Sequence, residues 1–259
     1  MLLSPRHRHF AAALMMMASS LSLVACQRSG SGADPMATGS TSAAPASFKQ
    51  TAKLGETWKA DPTNAGKGIA YANGLEALGQ TDQQLQVLQQ ISQSNPNDTK
   101  VASYYGKKLV QAGQASDALP ILEAAAAAPD ADYRVHSALG SAYDQQQLFD
   151  KAQAEYQKAL ALKPNDLSVL NNMAMSYAVQ GDLKRAEATL RQAQALPNSQ
   201  SQPRIQQNLA LVVGLQGRFD EARKIASEDL PQDQIDANMD YLQKMLSQPN
   251  TWQQLSNKG

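Results

Sequence analysis

At 259 residues, 42% hydrophobic and only 5% aromatic, the chain suits helices packed through small side chains better than one large aromatic core. Its 23 basic residues balance 23 acidic ones, and loss of a leader holding Arg6 and Arg8 would leave 21 against 23, near −2. That balance gives no electrostatic reason to bind nucleic acid or an anionic surface, and a single cysteine, Cys26, excludes an intramolecular disulfide.

Arg6, His7, Arg8 and His9 form a basic start, followed by an apolar run from Phe10 to Val24 and then Leu23-Val24-Ala25-Cys26. This order is that of a secretory signal peptide over residues 1–25, too short for a comfortable membrane span. The Leu-x-Ala-Cys ending resembles the bacterial lipobox. The resemblance implies that Cys26 receives a diacylglycerol thioether, becomes the mature N-terminus and is then N-acylated. More than one acyl chain makes such an anchor stable without a spanning helix. Gln27 follows where an Asp would hold the protein back, which by resemblance to enterobacterial sorting implies the periplasmic face of the outer membrane.

From Arg28 to about Asn64 the sequence is rich in Ser, Gly, Ala, Thr and Pro, without helical or strand periodicity. It reads as a flexible linker over 26–64, whose ends lie roughly 35 Å apart on coil statistics. Inside it, Leu54 and Trp58 stand four apart and are compatible with a short helix over 53–59.

Residues 65–247 carry a step of 34. Gly106, Gly140 and Ala174 are 34 apart, as are Ala118, Ala152 and Ala186, and Leu109, Tyr143 and Tyr177. Asp98, Asp132 and Asp166 recur at the same step, each just before a helical stretch whose first-turn N–H groups an aspartate can cap. Asn95-Pro96-Asn97-Asp98 and Lys163-Pro164-Asn165-Asp166 repeat 68 apart, and proline there stops the preceding helix. Pro197 to Gln202 break the period, so that a fifth unit opens at Pro203, a step of 36. Ile235, Met239, Leu242 and Leu246 then make one apolar stripe, as a capping helix over 232–247 requires, and 248–259 is a tail.

This helix–turn–helix period, with small and aromatic residues at fixed places, resembles the tetratricopeptide repeat (TPR). The resemblance implies an all-α superhelix of about five repeats, starting near 65, 99, 133, 167 and 203, plus the capping helix. It also implies that positions 2, 5, 6, 9, 12 and 13 of each unit look into the concave groove. These give Asn73 and Glu76; Lys100, Tyr104 and Lys107; Arg134, Ser137, Ser141 and Asp144; Asn171, Asn172 and Met175; Arg204, Gln207 and Asn208. Carboxamides such as Asn172 and Asn208 can pair with an extended peptide backbone, and Lys100, Lys107, Arg134 and Arg204 with acidic groups. The bland reading of any one of them is a solvated polar residue on a helix face.

An enzyme is disfavoured. With Cys26 lipidated and the leader removed, His136 is the one histidine left, and it falls at a packing position. No CxxC, HExxH or phosphate-cradling glycine loop occurs, so no metal or cofactor is expected.

The run from Gln206 to Ala222, with Asp229-Leu230-Pro231 and the stretch from Asn238 to Leu246, resembles the C-terminal part of the TadD family; Asn171 to Tyr177 followed by Gly181-Asp182-Leu183 fits it too. These are TPR lipoproteins of the tight-adherence (Tad) system that assembles Flp pili. The resemblance covers roughly 165–246. It implies a partner in the pilus or secretion machinery, with the outer-membrane secretin one candidate, and a pilotin-like helper role. An adaptor for β-barrel assembly or cell-wall enzymes, and less favourably an exported hydrolase, are the alternatives.

Overall fold

The computed structural model describes residues 48–247. The leader, Cys26, the linker as far as residue 47 and the tail 248–259 lie outside them. Among the described residues there are twelve α-helices and no strand.

Helix α1 (Phe48–Lys59) precedes five helix pairs: α2 (Ala65–Ala77) with α3 (Thr81–Ser94), α4 (Thr99–Gln111) with α5 (Ala115–Ala126), α6 (Tyr133–Gln145) with α7 (Phe149–Leu162), α8 (Leu167–Val179) with α9 (Leu183–Gln194), and α10 (Pro203–Leu215) with α11 (Phe219–Ala226). Helix α12 (Gln232–Ser247) closes the array. Each pair packs internally and against the next, and one apolar cluster runs from Trp58 of α1 to Val169 of α8.

The caps explain where the first helices begin. Asp98, Asp132 and Asp166 each accept first-turn backbone N–H groups through the side chain, and Asn64 does the same for α2. Pro203 opens α10, where its missing N–H costs nothing. A three-residue 3-10 turn, Ser199–Ser201, takes up the extra residues that shift the fifth unit. Each turn inside a pair needs one residue in the left-handed region. Gly79, Gly113, Gly181 and Gly217 fill it at φ 70° to 85°, but the third pair uses Gln147 at φ 59°.

Small residues set the helix spacing. A Cβ on Gly106 would lie 2.5 Å from Leu122 Cγ, and one on Gly140 would lie 2.8 Å from Tyr156 Cε1. In the fourth pair Ala174 and Leu190 hold the equivalent positions, both fully buried.

The linker reading fails for residues 48–59, which form α1 and pack on α2. Thr51, Gly55 and Trp58 make its buried face, and Trp58 is only 6% exposed. The indole lies 5.7 Å from the Tyr71 ring and donates to the Pro62 carbonyl at 3.1 Å. The short helix expected over 53–59 thus begins earlier, at Phe48, and low apolar content hid that extent, because two of the three residues it buries are Thr and Gly.

Candidate protein-binding groove

The first helix of each pair, α2, α4, α6, α8 and α10, supplies the side chains expected in the groove. Most are tied to the neighbouring first helix rather than standing free. The Tyr104 hydroxyl donates to Asn73 Oδ1, linking α4 to α2. Beside it, Lys108 Nζ meets Glu76 Oε1 at 2.5 Å and lies 5.4 Å from the Tyr104 ring centroid. Lys108 is 9% exposed, and Glu76 also accepts from Gln84. Burial and the charge of Glu76 both push the Tyr104 hydroxyl above its ordinary pKa.

Further along, Asn172 Nδ2 donates to Ser137 Oγ at 3.4 Å, and Asn208 Nδ2 to Asn171 Oδ1 at 2.7 Å. Each carboxamide thus spends one N–H on the previous helix. It keeps its second N–H and its carbonyl oxygen, and both residues remain partly exposed. Met175 and Gln207 are also partly exposed, whereas Arg204, Lys100 and Lys107 are exposed. The side chains of Lys100 and Lys107 have no carboxylate partner among the described residues. Arg134 is exposed but committed: Nη1 bonds Asp132 Oδ2 at 2.6 Å and the guanidinium lies 4.9 Å from the Tyr133 ring centroid.

Asp144 departs from its expected place. It is 8% exposed and turned into the junction of α6, α7 and α8. Its Oδ1 accepts from Ser176 Oγ at 2.6 Å, and its Oδ2 from the Tyr156 hydroxyl at 2.8 Å. Both bonds favour the carboxylate, but burial without a cation outweighs them and pushes Asp144 up to about 6. Tyr156 is driven well above the ordinary tyrosine range by the same burial and by Asp144. Ser141 joins this cluster at 3.0 Å from the Tyr156 hydroxyl and is only partly exposed. His136 is buried against α7, its Nδ1 2.7 Å from Glu155 Oε2, while Glu155 Oε1 accepts from Lys158.

Two residues escaped sequence reasoning, Lys108 and Ser176, both one place beyond a position assigned to the groove. The signal was available. Glu76 and Asp144 are 68 apart, and their partners Lys108 and Ser176 are also 68 apart. The acid of an odd unit is answered from the following even unit, the same two-repeat step that the Asn-Pro and Lys-Pro stretches show.

The tetratricopeptide repeat family model matches residues 133–166. No curated protein matches the chain in sequence. Among solved structures, a thermophilic TPR protein of Thermus thermophilus, TTC0263, is 22% identical, with a TM-score of 0.61, over 69% of this chain and 98% of that one. PilW, described as a widely conserved type IV pilus biogenesis factor, is 17% identical, with a TM-score of 0.59, over 95% of this chain and all of the other (100%). A TPR protein from Parabacteroides merdae ATCC 43184 is 13% identical, with a TM-score of 0.62, over 75% and 77%. At these identities the likeness is one of fold. The described residues form an all-helical TPR superhelix, an architecture that presents an extended surface to protein partners.

Proposed function

We propose that the chain is a membrane-anchored TPR scaffold that captures a segment of another protein during Flp/Tad pilus assembly, acting as a helper of the outer-membrane secretin. The observation that carries the binding role is the row of first-helix side chains. Among the described residues Lys100 and Lys107 stand exposed without carboxylate partners, and Asn172 and Asn208 keep unspent amide groups further along the same face. An extended segment with an acidic end fits that order, its acid over α4 and its backbone over α8 and α10.

The pilus assignment rests on the TadD-like residues of the fifth unit and capping helix, and PilW offers a pilus factor with the same fold. The anchor rests on Leu23-Val24-Ala25-Cys26. Lipid attachment confines groove and partner to one surface, raising their effective concentration without any new contact.

Cys26→Ser tests the reading. The variant keeps a folded repeat domain by circular dichroism, leaves the outer-membrane fraction, and loses secretin multimers or pili. Normal piliation from a displaced, folded variant would refute it.

A further inference from the structure

A large cavity lies on the second helices, not the first. It is a notch of about 1370 Å³ between α3 and α5, floored by Ala102, Tyr105 and Leu109 of α4. The wall made by α5 and the turn after it is low. Ala124 and Ala128 stand where α7 carries Lys158 and Leu162 and where the fourth unit carries Gln192 and Leu196. Pro120 and Ile121 complete that wall, and Leu85, Gln86 and Gln89 face it from α3.

Four carboxylates line the notch, Asp82, Asp98, Asp117 and Asp130, and no lining residue carries a positive charge. None of the four forms an ion pair among the described residues; Asp98 caps α4 and Asp130 accepts from Thr99 Oγ1 at 3.1 Å, which leaves Asp82 and Asp117 uncommitted there. On the later second helices the glutamates are neutralised: Glu155 pairs with Lys158, Glu187 with Arg191 and Arg218, and Glu221 with Arg191 and Arg218. Asp82 and Asp117, in the first turns of α3 and α5, are the two left for something else.

We propose that this notch docks a cationic, partly apolar peptide segment of a second protein, on a surface separate from the first-helix groove. Small apolar side chains of the segment rest on Ala102, Tyr105 and Ala124, while its Lys or Arg residues reach the carboxylates on the rim. A notch as long as α3, whose 14 residues span about 21 Å, takes roughly six extended residues. The first two repeats thus present a cationic face through Lys100 and Lys107 and an anionic face through Asp82 and Asp117. The scaffold can hold two partners of opposite charge at once.

The test uses the full-length protein and a fluorescein-labelled Lys-Leu-Lys-Ala-Lys-Leu-Lys-Ala peptide, with its Glu-for-Lys counterpart, read by fluorescence anisotropy. Asp82, Asp117 and Ala124 are all exposed, so D82N/D117N and A124W should fold, which circular dichroism checks. Each should weaken the Lys peptide at least fivefold. K100A/K107A should leave its affinity within twofold, and the Glu peptide should not compete. No saturable binding, or binding lost in K100A/K107A and kept in D82N/D117N, would overturn the proposal. Self-association of the chain that D82N/D117N abolishes would assign the notch to a second copy and overturn it as well.

Discussion

Asp144→Asn removes the buried charge at the junction of α6, α7 and α8. Asp144 titrates at about 6 in the fold, against an ordinary value of 3.8. The folded chain therefore holds this proton more tightly than the unfolded chain does. Stability falls as pH rises from about 3.8 to about 6 and levels off above, a loss of roughly 3 kcal/mol for about 2.2 pH units. Asparagine avoids that cost. Its oxygen can still accept from Ser176 or Tyr156, and the other hydroxyl can turn to accept from Nδ2. Allowing about 1 kcal/mol for the poorer hydrogen bonding, the variant should be more stable than wild type by about 1 to 2 kcal/mol at pH 7.5. The advantage should vanish near pH 4.5. Urea unfolding followed by far-UV circular dichroism at intervals between those pH values measures it, and subtracting the two profiles cancels every other titrating group. A variant less stable than wild type at pH 7.5, with a difference that does not change with pH, would refute the reasoning.

Other expectations follow from the packing. Gly140→Ala drives a Cβ into the Tyr156 ring and should cost about 1 to 3 kcal/mol in chemical unfolding, whereas Ala174→Gly at the equivalent site should cost about 1 kcal/mol. Gln147→Gly relieves a left-handed residue at φ 59° and should raise stability by about 1 kcal/mol, read as a higher urea midpoint with unchanged slope. Trp58→Ala empties the α1–α2 contact and should cost about 3 kcal/mol, with hydrogen exchange rising first in α1 and α2.

Much of the fold was legible because a repeat prints its geometry several times. The glycines and alanines that let helices touch, the aspartates that cap them and the prolines that end them recur at a fixed step, so each reading checks the next. Helix α1 was legible only in its second half, as a short helix over 53–59, because it occurs once and buries Thr51 and Gly55 beside a single tryptophan. The groove was legible as a set of positions but not as a set of free groups. Whether the amide of Asn73 or Asn171 is free depends on what the next helix offers, here Tyr104 and Asn208. Asp144 shows the limit most plainly: its position in the unit points to the groove, but the Ser176 and Tyr156 hydroxyls draw it inward. The notch between α3 and α5 depends on alanines that, read alone, only favour helix.

The central proposal is that the first-helix face holds a component of the pilus machinery. Photocrosslinking groups placed at Lys107 and Asn172 in the full-length protein test it in cells, with Lys184 as an exposed control on α9. The account predicts adducts to an Flp pilus assembly component, such as the secretin, from both groove positions and not from the control. Adducts only to β-barrel assembly factors or cell-wall enzymes, or adducts as abundant from Lys184, would contradict it.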